Sequence, residues 1–275
     1  MNASARASKR VRSPGGPVPD GRHHVLIPVS VLSCAVLLYG LHVPYAAVVV
    51  VAGSFLALYL RAPALVARSR EAFDRDALGI RAGKGDGGKG DGGRAQRAQR
   101  LAARLESAWA LRLFGPPADV HTRRAMIAEE AERPAEAREH YRRALAAWDG
   151  ELPLPALLGY ANASYLSGDD VEAVVTFQKV LDRGSMLPRV HVRIAHATLR
   201  AGLPDDPVEG WLDAAERDAE DALAHCEVTL VRALRAAQRG QSQRARELLA
   251  AAPEELHASL RSEVLAALDA EPRPV

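Results

Sequence analysis

The chain has 275 residues, a net charge of +2 and only two cysteines, Cys34 and Cys226, which excludes a disulfide framework and any Cys-x-x-Cys redox or zinc motif. The near balance hides a split. Residues 1–100 hold 15 Lys or Arg against 6 Asp or Glu (net +9), and residues 101–275 hold 21 against 28 (net −7). An acidic larger part lacks the basic face that a nucleic-acid partner would need, so none is expected.

Residues 1–24 form a basic tail with Arg6, Lys9, Arg10, Arg12 and Arg22. Residues 25–60 then carry no charged side chain and are dense in Val, Leu and Ala. As a single helix this run would be about 54 Å long, well beyond the ~30 Å hydrocarbon core of a bilayer. Gly40-Leu41-His42-Val43-Pro44 breaks it near its middle, which predicts a hairpin of two short transmembrane helices. Arg61, Arg68, Arg70 and Arg75 follow it, so both flanks are basic. Positive residues favour the cytoplasmic side, and an even number of spans puts both flanks there.

Three other readings of this segment fit less well. A cleaved signal peptide has one apolar stretch of 7–15 residues, and this one continues further. Val31-Leu32-Ser33-Cys34 superficially resembles a lipoprotein processing site, yet apolar residues follow Cys34 where a polar tether belongs. A buried hairpin in a soluble protein needs an apolar surround that the rest of the chain does not supply. Gly53, Ala46 and Ala57 are small, but no Gly-x-x-x-Gly seam is present to specify helix packing.

Residues 61–93 read as a juxtamembrane segment and linker. Residues 61–80 mix Leu65, Phe73 and Leu78 with charges and suggest a short helix along the membrane surface. Residues 82–93 repeat Gly-Lys-Gly-Asp-Gly-Gly and suit a flexible tether. No Ser or Thr follows the Gly-Lys pairs, so they do not make a phosphate-binding loop. Residues 94–117 are expected to hold a packing helix, with Leu101, Leu105, Trp109 and Leu113 on one face and Gly115-Pro116-Pro117 ending it.

Residues 118–252 show a recurring pattern. Ala161, Gly168, Phe177 and Val180 are followed by Ala195, Gly202, Trp211 and Ala214, then by Ala233, Gly240, Leu249 and Ala252. A glycine closing a helix supplies the left-handed residue without a Cβ penalty. Small residues mark close approach of two helices, and a bulky one fills the gap. A period in this range signals stacked helix pairs. The pattern resembles the tetratricopeptide repeat, with Leu157, Tyr160, Ala161, Gly168, Ala173 and Phe177 as the best-matched unit. An earlier unit fits through Ala125, Ala137, Tyr141 and Ala144, with Glu132 in the glycine's place. In the third unit Pro207 replaces a small residue, and Asp206-Pro207 reads as an N-cap and a helix-opening proline. The resemblance implies an α-solenoid of about four helix pairs, so with the transmembrane hairpin before it the whole chain is expected to be all-α. Residues 253–275 complete it as a capping helix, expected over 255–268, and a tail.

Catalytic chemistry finds no foothold. No His-Glu-x-x-His occurs among the nine histidines, Ser164, Ser167 and Ser185 lack a nucleophile-elbow context, and consecutive His225-Cys226-Glu227 diverge on a helix. Neither an enzyme, a metal nor a cofactor is expected. One stripe stands out: Arg189, Arg193, His196 and Arg200 fall at i, i+4, i+7 and i+11, with no acid between Pro188 and Gly202. They share one helical face. In the resembled family these positions line a concave groove, to which Asn162 and Tyr165 of the preceding unit also belong. The first unit offers Thr122 and Met126 there, so the carboxylate clamp of some family members is incomplete. A solvated basic face is the plainer reading.

The expectation is therefore a membrane-anchored adaptor or scaffold that binds protein partners through this groove. The partner would present an acidic segment or a free C-terminus. The alternative is a structural or assembly subunit of a membrane complex, held through the hairpin. An Ala- and Arg-rich composition suggests a bacterial inner membrane, with the repeats in the cytoplasm. Oligomeric state is not legible.

Overall fold

Helices in this chain end on left-handed residues at regular intervals. In the computed structural model, which describes residues 45–81, 91–148, 150, 152–184 and 188–270, Gly168, Gly202 and Gly240 have φ of 80°, 64° and 73°. Glu132, which stands in the glycine's place in the first unit, adopts φ 55°. The backbone closes each of these four helices in the same way. Arg133 N–H donates to Ala128, Asp169 to Ser164, Leu203 to Thr198 and Gln241 to Ala236, at 2.9–3.1 Å. That six-to-one bond satisfies a carbonyl the helix would otherwise leave unpaired. The residue seven positions before each turn, Ala125, Ala161, Ala195 or Ala233, is fully buried.

Every regular element among the described residues is a helix: there are twelve helices and no strand. They are α1 (Tyr45–Arg81), α2 (Asp91–Ser107), α3 (Trp109–Phe114), α4 (Pro117–Glu130), α5 (Pro134–Ala147) and α6 (Leu154–Leu166). They continue with α7 (Asp170–Asp182), α8 (Pro188–Arg200), α9 (Val208–Arg217), α10 (Ala222–Gln238), α11 (Ser242–Ala251) and α12 (Ala258–Asp269). These fall into two compact units. Described parts of 45–81, 101–120 and 144–150 make one, and 91–100, 121–143 and 152–270 make the other.

In the first unit, α1 is a single helix of 37 residues. At ~1.5 Å per residue it is about 55 Å long. This corrects the expected separate surface helix over 61–80. Nothing between Leu60 and Arg68 terminates a helix, and Pro63 sits inside it, forgoing one backbone bond without ending it. Residues 49–79 of α1 are long and apolar enough to cross a membrane, and Val49, Val50, Phe55, Leu56 and Leu60 are exposed. The first arm of the expected hairpin, its Gly40–Pro44 break, Cys34 and the basic tail lie outside the described residues.

Two further expectations shift here. The Gly-rich tether expected over 82–93 gives way to helix before its end, since α2 starts at Asp91. An acidic residue suits the positive end of a helix. The packing helix expected over 94–114 is broken at Ala108 (φ −81°, ψ 56°). The break changes the helical phase, so Leu101 and Leu105 stay buried while Trp109 and Leu113 turn outward. Ala110 and Leu111 take the inward places, and α3 packs on α1.

In the second unit, consecutive helices α6 to α12 pack each on the next, and α10 also packs against α8 and α12. The best-matched helix pair, α6 and α7, buries Leu157, Tyr160, Ala161, Ala173, Phe177 and Val180. A core formed by Leu199, Val208, Leu212, Val231, Leu234, Leu260 and Val264 joins α8, α9, α10 and α12. Phe177 is a fully buried plug, but its counterpart Trp211 is only partly buried, with Leu212 taking the interior place. The cause is the late start of α9. Pro204 to Pro207 delay it, and Val208, Leu212 and Ala215 then face inward. Asp206 does not cap that helix; Pro207 holds the cap position without a side-chain bond.

Candidate functional site

The i, i+4, i+7, i+11 spacing of the basic stripe on α8 brings its members to one side, as expected, but not into equivalent surroundings. Arg189 is exposed, Arg193 and Arg200 are half-buried, and His196 is only 4% exposed. The opposite faces of α8 are apolar: Val190, Val192, Ile194, Ala195 and Leu199 are all buried. Helices α7, α9 and α10 enclose them.

Tyr165, from the last turn of α6, is the centre of the cluster. The Arg193 guanidinium carbon lies 5.7 Å from its ring centroid and that of Arg200 lies 5.4 Å away. Both are within the distance at which a cation is drawn to an aromatic ring. Phe177 of α7 packs on the same ring at 6.4 Å with a steep interplanar angle. Arg193 Nη1 donates to Asn162 Oδ1, so five of the six sequence-selected residues form one connected group. Arg189 stands one turn away, and among the described residues no side-chain hydrogen bond or ion pair joins it to the group.

Sequence reasoning missed the acids. Arg200 Nε pairs with Asp170 Oδ2 at 3.1 Å. His196 Nδ1 and the Tyr165 hydroxyl are 2.7 Å apart, and His196 Nε2 is 2.7 Å from Glu263 Oε2 on α12. A carboxylate can only accept, so Nε2 carries the proton there. For the neutral ring, Nδ1 then accepts from the Tyr165 hydroxyl. The stripe is therefore not a uniformly positive strip. Two of its four members are matched by acids from α7 and α12. Asp170 could have been suspected from its place at the start of the helix after Gly168. Glu263 lies 67 residues from His196 and belongs to no repeat position, so nothing in the sequence pointed to it.

The local electrostatics follow from this packing. Burial, then the Glu227 carboxylate, push the Tyr165 hydroxyl up to about 12 against the pull of Arg193 and Arg200. It is therefore a permanent donor near neutrality. The hydrogen bond from His196 holds Glu263 below its ordinary range. Burial raises Asp170 even though Arg200 opposes it. Asp170 Oδ1 is buried without a hydrogen-bond partner.

Among the described residues, no group of three or more His, Cys, Asp or Glu could hold a metal ion. His121 and His140 stack at 5.8 Å, and burial lowers both rings. Burial raises the Cys226 thiol, which makes it a poor nucleophile. The arrangement around Tyr165 can present a guanidinium-rich, aromatic-backed surface to an anionic or carbonyl-bearing group. It offers no open base or nucleophile. Neither a protein-family model nor a curated protein matches this chain.

Proposed function

We propose that the chain is a membrane-anchored adaptor whose second unit works as a tetratricopeptide-like repeat array. In this reading α1 and the apolar stretch before it cross a bilayer as a two-span hairpin in a bacterial inner membrane. The repeat helices then lie in the cytoplasm and bind a protein partner that carries an acidic segment or a free C-terminus. Support for the array comes from the four left-handed turns, the four buried alanines before them and the helix-on-helix packing from α6 to α12. Support for the anchor comes from the length and exposed apolar side chains of α1.

The observation that carries the binding role is Tyr165 held between Arg193 and Arg200, with exposed Arg189 on the same helix. Because Arg200 and His196 already face acids, the partner's carboxylates are directed to Arg189 and Arg193, where a planar fork can engage them bidentately. The test uses the full chain in detergent. Replacing Arg189 and Arg193 together by Glu should remove co-purifying proteins, and an acidic peptide with a free C-terminus should displace the same proteins from the unaltered chain. If neither change alters what co-purifies, this reading fails. Reporter fusions after residues 20 and 95 test the topology, and both should report cytoplasm. The exposed apolar face of α1 also favours a second reading, a subunit held by its hairpin. Exchanging that hairpin for an unrelated two-span anchor should spare an adaptor and abolish such a subunit.

A further inference from the structure

Glu227 lies six residues before buried Ala233, as Arg189 lies six before buried Ala195. The two side chains therefore take the same place on α10 and α8. Those helices pack on each other, and their C-terminal ends lie side by side, where Gln238 Nε2 donates to the Leu199 carbonyl at 3.4 Å. Equivalent places thus carry opposite charge. Glu227 is half-buried, and among the described residues neither it nor Arg189 forms an ion pair or a side-chain hydrogen bond.

The charges around Tyr165 divide in the same way. Arg200 meets the Asp170 carboxylate, and the two cancel. Arg193 meets only the neutral amide of Asn162, so its charge remains. With the His196 ring neutral, Nδ1 accepts from the Tyr165 hydroxyl and Nε2 donates to Glu263, so the charge of Glu263 remains as well. The Glu263 carboxylate stands one imidazole ring away from that hydroxyl, and Glu227 lies near enough to act on the hydroxyl too. What is left uncancelled is a pair of arginines on α8, Arg189 and Arg193, and a pair of carboxylates, Glu227 on α10 and Glu263 on α12. None of the four is sealed off: Arg189 is exposed, Arg193 and Glu227 are half-buried, and the Glu263 side chain is 40% exposed. A ligand carrying acids alone would be repelled by the carboxylates, and one carrying bases alone by the arginines. Repulsion of this kind selects partners as firmly as attraction does.

We infer that this surface takes a segment of another protein that carries both charges on one face. Its carboxylate lies on Arg189 and Arg193, its lysine or arginine lies on Glu227 and Glu263, and Tyr165 stands between the two. This rests on the reading of α8 as a binding surface, and it narrows the acidic partner to one with a base beside its acid. The test is selection of displayed random peptides on the full chain in detergent, repeated on two variants. Peptides recovered on the unaltered chain should be enriched in sequences that hold an acid and a base together. With Glu227→Gln and Glu263→Gln, enrichment of the base should fall to the level of the starting library while that of the acid persists. A glutamine at 263 can still accept from His196, so the packing of α12 is kept. With Arg189→Gln and Arg193→Gln the acid should be lost and the base kept. Glu227→Gln alone breaks no bond within the fold, and it should weaken a recovered peptide about fivefold by fluorescence anisotropy, the size of one exposed charge pair. Recovery of acidic peptides without a base overturns the mixed partner and leaves α8 as an acid-binding surface. Recovery of no peptide whose binding depends on these four residues overturns both. Displacement of the recovered peptides by free copies of the chain itself overturns another protein as the occupant.

Discussion

The helices α8 and α10 are both rich in arginine, and they use it in opposite ways. Arg232 and Arg235 on α10 and Arg239 at its C-cap meet Asp205, Glu209, Asp213 and Glu216 of α9 and the loop before it. Asp205 alone accepts from Arg235 at 2.9 Å and from Arg239 twice at 2.7 Å. Those bonds, Arg239's first, hold its carboxyl below the ordinary range. On α8 the acid that meets Arg200 is Asp170, and burial pushes that carboxyl up instead. The first set is a ladder in which charge stabilises the fold. The second holds a charge at a desolvation cost, which is the pattern expected where a surface serves something other than stability. A run of arginines on one helix does not reveal its role; the acids on neighbouring helices decide it.

The largest effect should come from removing what both arrangements stand on. Phe177→Ala empties a fully buried site beneath Tyr165. It should cost about 3–5 kcal/mol and release the bracket of Arg193 and Arg200 as well. Chemical denaturation of the purified chain checks this, and a midpoint close to the original would show that α8 does not depend on that packing. Next, Asp205→Ala strips half-buried Arg235 of a charged acceptor and should cost about 2 kcal/mol. Asp170→Asn should cost less than about 1 kcal/mol, because the lost pair and the relieved burial of a carboxylate offset each other. Equal losses for the two substitutions would erase the contrast between ladder and stripe.

Acid titration separates the same two carboxyls. A group held below its ordinary value contributes stability above that value and loses it as pH falls through the lower folded one. Asp205 and Glu263 should therefore make the chain lose stability below about pH 4.5. Asp170 has the reverse sign: its folded value is raised, so its unfavourable contribution is relieved on acidification. Asp205→Asn should flatten the acid limb of the stability curve, and Asp170→Asn should not. The smallest effect belongs to Arg189→Ala, which should leave the thermal midpoint unchanged because its side chain is exposed.

Local rules recovered much of the helix register. The turns at Gly168, Gly202 and Gly240 follow from what a left-handed residue requires, and the buried alanines follow from their fixed distance to those turns. Glu132 shows the limit of residue identity, since the surrounding helices impose on it a conformation its side chain disfavours. Breaks set by a single backbone angle were not legible: Ala108 carries no Gly or Pro signal, and its break changes which side chains of 109–114 look inward. The same holds for Trp211, where aromatic size suggested burial but the delayed start of α9 gave the interior to Leu212. In the candidate site, the spacing of α8 identified the basic residues, while Asp170 and Glu263 came from other helices. Periodicity speaks only of faces on one helix and says nothing about what a neighbour brings to them.

The left-handed Glu132 also has a mechanical meaning. A glycine could make that turn with less backbone strain, but it would have no carboxylate to hold Arg94. Arg94 lies three residues into α2, and Arg97, one turn on, pairs with Glu130 at 3.2 Å. Tension arriving along the chain from residue 90 would thus load two ion pairs one after the other before it reached any buried packing. Glu132 thus ties the start of α2 to the turn between α4 and α5, a role that its backbone conformation alone would not reveal.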